Sequence, residues 1–233
     1  MKILITAGAV TERIDAVRCI TNSATGKLGA LTAEAFFQQA EGKLEKIIYV
    51  CEKSAVVPDI PCLEIVHTQG TAELDATIQR ILSVEKPDAV IHSMAVSDYM
   101  VESISIDDTG ILRPVDTSTK LSSDIDHLVL HLRRTPKIIG HIRSLAPDAV
   151  LVGFKLLDGV ALEDLLETSH KLLVRNRCDL VLANDARTIN GNEHTGYLVF
   201  PDRSRIRIDG KAHIAEAIAH EVLNLLAQRN TVK

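Results

Sequence analysis

Short apolar runs rich in isoleucine and valine recur along this chain, each followed by a longer segment of helical period. That alternation is the pattern of a parallel sheet whose strands are joined by crossover helices. The runs predict strands over Lys2 to Thr6, Lys46 to Cys51, Cys62 to Val66, Asp88 to His92, Ala149 to Phe154 and Cys178 to Ala183. Between them, Leu74, Ile78, Ile81 and Leu82 fall on one helical face, as do Leu162, Leu165, Leu166, Leu172 and Leu173. Ile214, Ile218, Val222, Leu225 and Leu226 give a last helix the same kind of stripe, and such stripes are core rather than cofactor boxes. Tyr197 to Phe200 and Arg205 to Ile208 flank the turn Pro201-Asp202-Arg203-Ser204 and read as an antiparallel hairpin added to the sheet. The fold class is therefore α/β, doubly wound and Rossmann-like, with a mostly parallel sheet and a C-terminal antiparallel hairpin.

One stretch breaks the rhythm. From Met94 to about Ser123 there is little apolar periodicity, with Asp107-Asp108-Thr109-Gly110 and Asp116-Thr117-Ser118-Thr119 along it. It reads as a long loop, a lid or binding segment, and it follows the carboxyl end of a strand, where open α/β sheets place their ligands.

At 233 residues and 46% hydrophobic composition, the chain fits one large domain with a full core. A formal net charge of -5 and 3% aromatic residues, none of them Trp, leave neither a general attraction to nucleic acid nor a stacking platform. Cys19, Cys51, Cys62 and Cys178 form no Cys-x-x-Cys pair and read as free thiols of a reducing compartment. No apolar run reaches the length of a signal peptide or a membrane span, so a soluble, cytoplasmic protein is expected. The nine histidines lack metal-ligand spacing and no Gly-x-Ser-x-Gly elbow is present, which removes zinc and hydrolase readings. His92, inside an apolar strand, reads as a core histidine.

The stretch ITNSATGKLG, Ile20 to Gly29, approaches a phosphate-binding loop without being one of the familiar kinds. A P-loop needs a glycine where Thr21 stands and a hydroxyl where Leu28 stands, and the turn after the first strand, Ala7-Gly8-Ala9, lacks the dinucleotide fingerprint. Thr25 offers a helix N-cap. Gly26 and Gly29 would let an anion approach backbone amides at the start of the helix beginning near Lys27. Asn22 can donate and accept hydrogen bonds at once, and Arg18 can grip a carboxylate or phosphate, or else pair with Asp15 or Glu12. Lys171 and Arg175 stand one turn apart on a helix, facing either solvent or a polyphosphate. Lys120, in a polar setting, suits a charged group that stabilises phosphate oxygens better than a base.

These residues carry a resemblance. The stretches ITAGAVTERIDAVRCITNSATGKLG, IHSMAVSDY, RTPKIIG, VGFK and KLLVRNRCDLVLAND are similar, in order and over nearly the whole chain, to phosphopantothenoylcysteine synthetase, or phosphopantothenate-cysteine ligase, in its monofunctional form. The resemblance implies a homodimer that condenses 4'-phosphopantothenate with L-cysteine in coenzyme A synthesis. It implies CTP, or ATP, as co-substrate, a Mg2+ ion and an acyl-nucleotidylate intermediate. It implies that Lys120 neutralises charge at the α-phosphate, that Asn22 holds the intermediate, and that Arg18 orients substrate or phosphate. Met94 and Asp98 would line the nucleotide, Pro136, Lys137, Ile138 and Ile139 would form part of its pocket, and Phe154, Lys171 and Arg175 would complete it. The metal ligands stay unassigned. The chain departs from the pattern where Lys120-Leu121-Ser122-Ser123 keeps one lysine of a Lys-x-Lys-Lys motif, where Ala24 and Thr25 replace paired serines, and where Met94 replaces a small residue. It starts directly at the synthetase motif, so no flavin-binding decarboxylase domain is expected. Two rivals share the fold: an NAD(P)-dependent oxidoreductase, for which Glu52 closes the second strand, and a nucleotide-binding homologue without activity.

Overall fold

The computed structural model describes residues 1–108, 111–191 and 193–231. Ile3, Leu4 and Ile5 of the central strand β1 (Lys2–Ala7) are all fully buried. Successive strand residues point to opposite faces, so such a run needs helices on both sides of the sheet. Those helices are present. α1 (Lys27–Gln39) and α5 (Lys211–Thr231) pack together on one face, while α2 (Gly70–Glu85), α3 (Ile138–Leu145) and α4 (Leu162–Asn176) line the other.

Parallel to β1 run β4 (Lys46–Cys51), β5 (Leu63–His67), β6 (Ala89–His92), β10 (Val150–Leu157) and β11 (Leu180–Asp185). The hairpin β12 (Thr195–Val199) and β13 (Arg205–Asp209) adds two antiparallel strands, giving the order β13-β12-β11-β10-β6-β1-β4-β5. β1 leads through α1 to one side of the sheet, and α2 returns the chain to β6 on the other. This reversal opens a crevice at the carboxyl ends of β1 and β6.

The predicted strands are all found, with β10 running past Phe154 to Leu157. Leu74, Ile78, Ile81 and Leu82 are buried in α2, and Ile214, Ile218 and Val222 in α5. Cys51 and Cys178 are buried, Cys62 is half-buried and Cys19 is exposed, and all four are free. No described helix is long and apolar enough to cross a membrane.

The stretch from Met94 to Ser123 is not the long loop its periodicity suggests. It carries β7 (Tyr99–Asp108) and β8 (Ile111–Pro114), which join β9 (Leu128–Arg134) in a second, three-stranded antiparallel sheet ordered β8-β7-β9. Thr109 and Gly110 of the expected loop lie outside the described residues. A register shift between Val101 and Ser103 splits the alternation of β7 into two short pieces, which hides a single strand from a periodicity count. A small hairpin, β2 (Thr11–Arg13) and β3 (Cys19–Thr21), also stands between β1 and α1 where no strand was expected.

Candidate active site

Beyond β1 the chain keeps pairing with the segment after β6. Ala9 bridges Ala95, the amide of Val10 donates to Ala95 O, and the amide of Ala95 donates to Gly8 O. The β2–β3 hairpin is then fixed by two buried carboxylates. Glu12 accepts bonds from the amide and hydroxyl of Thr71 at the start of α2, and Glu52 accepts from the amides of Thr11 and Gly70. Glu52 is thus occupied in holding backbone, which removes the ribose-binding acid that a nicotinamide reading requires.

β3 delivers Asn22 to the crevice, exposed, with Nδ2 donating to Ala95 O at 3.3 Å. The loop ends at Gly26, whose φ of 81° is left-handed and where a Cβ would meet Gly8 N at 3.1 Å. Glycine is required there on both counts. Gly26, not Thr25, is the N-cap residue, and Thr25 Oγ1 accepts from the Lys27 amide at 3.4 Å. The first bond of α1 runs from Ala30 N to Gly26 O, which leaves the Leu28 and Gly29 amides without intrahelical acceptors at the positive end of the helix. The missing side chain of Gly29 serves packing. It is buried, and a Cβ there would lie 2.5 Å from Ala7 Cβ, so its absence lets α1 lie close on β1. The hydroxyl of buried Tyr49 donates to Val56 O at 2.9 Å, and the Val56 amide donates to Thr25 O, pinning the β4–β5 loop against the Asn22 loop.

At the end of β6, His92 is the core histidine that its strand suggested. Its Nδ1 bonds Thr6 Oγ1 at 2.8 Å, and burial pushes its pKa down to about 4. The Met94 side chain belongs to the main core, so what the residue offers the crevice after β6 is its backbone. Asp98 is exposed and ion-paired with Lys137, and Thr135 Oγ1 donates to Ser97 O at 2.6 Å. These contacts bring Pro136 and Lys137, both exposed, to the crevice, with Ile138 buried and Ile139 half-buried behind them. Ile139 and Leu172 both press on Gly153, whose Cβ would meet them at 3.0 and 3.1 Å. The 136–139 segment and the part of α4 bearing Lys171 and Arg175 therefore adjoin. Lys171 is exposed, 3.7 Å from Glu167, and Arg175 is exposed one turn on. Phe154 is not gathered with them. It follows Gly153 on β10, so it faces the opposite side of the sheet, half-buried against the core.

Lys120 arrives from the second sheet. The amide of Leu121 donates to Asp15 Oδ2 at 3.1 Å, and Arg18 Nη1 reaches Leu121 O at 3.4 Å. Arg18 meanwhile pairs with Asp15 at 2.8 Å, the structural alternative open to it in the sequence. Burial alone would raise the pKa of Asp15, but the Val17, Arg18 and Leu121 amides and the Arg18 charge hold it down to about 2. Among the described residues no three histidines, cysteines or carboxylates are grouped so as to hold a metal ion.

Against known families, residues 1–226 match the model described as the DNA/pantothenate metabolism flavoprotein (DFP) C-terminal domain. The chain belongs to this family. Within it, the coenzyme A biosynthesis bifunctional protein CoaBC of Thermococcus kodakarensis is 31% identical over 226 residues, which cover 97% of this chain and 51% of that protein. CoaBC of Methanocaldococcus jannaschii is 28% identical, with the same two coverages of 97% and 51%. The chain thus spans about half the length of the curated relatives it matches. The DNA/pantothenate metabolism flavoprotein of Streptococcus pneumoniae superposes at a TM-score of 0.85 and 32% identity, covering 97% of this chain and 99% of that one. A mutant Cab2 in complex with phosphopantothenate-cysteine shares the DFP fold at a TM-score of 0.72 and 21% identity, covering 97% of this chain and 86% of that one. Tyr49 is a site-building residue that sequence reasoning missed, while Asp15 and Glu12, weighed only as partners of Arg18, and Glu52, weighed only as a nicotinamide-site acid, hold backbone amides of the site.

Proposed function

We propose that this chain is a phosphopantothenate-cysteine ligase of coenzyme A biosynthesis, condensing 4'-phosphopantothenate with L-cysteine at the β1/β6 crevice. One observation carries the reading. In a member of the DFP family, Asn22, the free amide end of α1 and the Lys120 segment converge where an open α/β sheet binds ligands.

A carboxylate resists attack by an amine because its carbonyl carries full anionic charge. Activation removes that charge: a carboxylate oxygen of phosphopantothenate attacks the α-phosphorus of CTP, and pyrophosphate leaves. The cysteine amine then attacks the acyl carbon of the mixed anhydride, loses a proton, and expels CMP as the amide forms. In this scheme the Leu28 amide and the positive end of α1 receive phosphate oxygens. The Lys120 ammonium offsets charge growing at the α-phosphate in the first step. Asn22 holds the anhydride for the second, donating to one oxygen while accepting from the amine. Asp98 and Lys137 stand on the path toward the nucleotide, with Lys171 and Arg175 beyond them. A Mg2+ ion would be held mainly by triphosphate oxygens and water, a mode that needs few protein ligands.

We further propose a homodimer. Tyr99, Val101, Ile104 and Ile106 of β7 share one face with Leu128, Leu130 and Leu132 of β9. Tyr99 is 49% exposed there, Leu132 46% and Leu128 37%, a patch suited to a second copy.

The test is pyrophosphate release from purified protein with 4'-phosphopantothenate, Mg2+ and either CTP or ATP, with cysteine present and then omitted. Release that depends on phosphopantothenate and turns over repeatedly only with cysteine is the expected result, with CTP the faster nucleotide. Silence with both nucleotides from folded protein overturns the ligase reading.

A further inference from the structure

Lys120 is exposed and, among the described residues, has no side-chain partner, whereas the role proposed for it requires a fixed place beside one phosphorus atom. What holds it is the next residue. Leu121 is buried, with its amide bonded to Asp15 Oδ2 and its carbonyl reached by Arg18 Nη1. Asp15 is itself fully enclosed. Its Oδ1 accepts from the amides of Val17 at 2.8 Å and Arg18 at 2.7 Å, and its Oδ2 takes both Arg18 Nη1 and the Leu121 amide. One carboxylate thus closes the turn of the β2–β3 hairpin with one oxygen and ties the hairpin to the second sheet with the other. The same hairpin ends one residue before Asn22.

We infer that Asp15 is a positioning residue for the first half-reaction: by gripping Leu121 it sets Lys120 at a fixed place relative to Asn22 and the start of α1. The inference rests on the ligase reading for its chemistry, but the anchor itself has a direct structural consequence. Arg18 shares the work, since its guanidinium spans from Asp15 Oδ2 to Leu121 O.

The experiment pairs amide exchange with kinetics on the whole chain. In the wild type the Leu121 amide should be protected although its neighbours Lys120 and Ser122 are exposed. In Asp15→Asn the remaining oxygen can still close the hairpin turn, but an NH2 group now faces the Leu121 N–H. Leu121 exchange should rise roughly ten-fold or more, while exchange in β1 and β6 stays as it was. Pyrophosphate release should slow with KM for CTP held within about two-fold, and the double variant Asp15→Asn with Lys120→Gln should be no slower than Lys120→Gln alone. An unprotected Leu121 amide in the wild type, or unchanged exchange in Asp15→Asn, overturns the anchor. Losses that multiply in the double variant, or a Lys120→Gln protein that releases pyrophosphate normally, overturn its catalytic role. A silent wild type defeats the ligase reading instead, and the exchange data then still decide whether the anchor exists.

Discussion

Two histidines are buried without a counter-charge. His92 is bonded to Thr6, and His194 Nε2 bonds Asn184 Oδ1 at 2.7 Å. Burial lowers the pKa of His92 from 6.5 to about 4, and burial, with help from Lys211, does the same for His194. Between those two values the unfolded chain binds more protons than the folded one. The stability these residues contribute is therefore complete above about pH 6.5 and is lost progressively as pH falls toward 4. The urea midpoint should decline steadily from pH 7 to pH 4.5, and His92→Gln should flatten that decline while lowering the midpoint at pH 7. A decline of unchanged slope in the variant would show that His92 titrates normally in the fold. The burial of His92 was legible because its neighbours on the strand are apolar. The role of Asp15 was not, because its partner Leu121 is 106 residues away and a hydrogen bond to a backbone amide leaves no mark on residue type.

Elements differed in how openly the sequence declares them. β1, β4 and β6 are covered on both faces, so they read as continuous apolar runs, and Ala89, Val90 and Ile91 of β6 are all fully buried. β7 has charged residues along it and a bulge within it, so neither a run nor a clean alternation survives. The short α3 has only eight residues, about two turns, too few for a helical period to stand out between Pro136 and the next strand. The apolar residues of the second sheet gain meaning only as a set, once β7 and β9 are paired. If a second copy covers that face, one charge at its exposed edge should be enough to prevent association, since an unpaired carboxylate would be taken out of water. Leu132→Glu should halve the mass seen by sedimentation at micromolar concentration, with the monomer still folded. A wild type that sediments as a monomer, or a variant that stays dimeric, places the interface elsewhere or removes it.

At the scale of the whole molecule, the proposed chemistry and the tightest anchoring fall at opposite edges of one sheet. The carboxyl edge holds exposed groups such as Asn22 and Lys120 beside the start of α1. The amino edge is tied down by one acid. Asp179, at the entry to β11, accepts from Arg143 Nη2 at 2.9 Å, from the Leu151 amide at 2.8 Å and from Arg229 near the end of α5. It thereby joins α3, β10 and the last helix. The Arg143 side chain is only 7% exposed, and among the described residues its partners beyond Asp179 are the carbonyls of Ala146, Pro147 and Ala149. Carbonyl dipoles soften the charge without cancelling it. Asp179→Ala leaves that guanidinium buried without a counter-ion and one β10 amide without an acceptor, a combination that costs about 3 kcal/mol. Urea denaturation should show a loss of this order, while the surviving folded protein keeps its KM for CTP at 25 °C, because nothing at the carboxyl edge has moved. A loss below about 1 kcal/mol would mean that the three carbonyls suffice for Arg143. A changed KM would mean that the two edges are coupled through β10, whose amino end meets Asp179 and whose carboxyl half lies over the contact between Ile139 and Leu172.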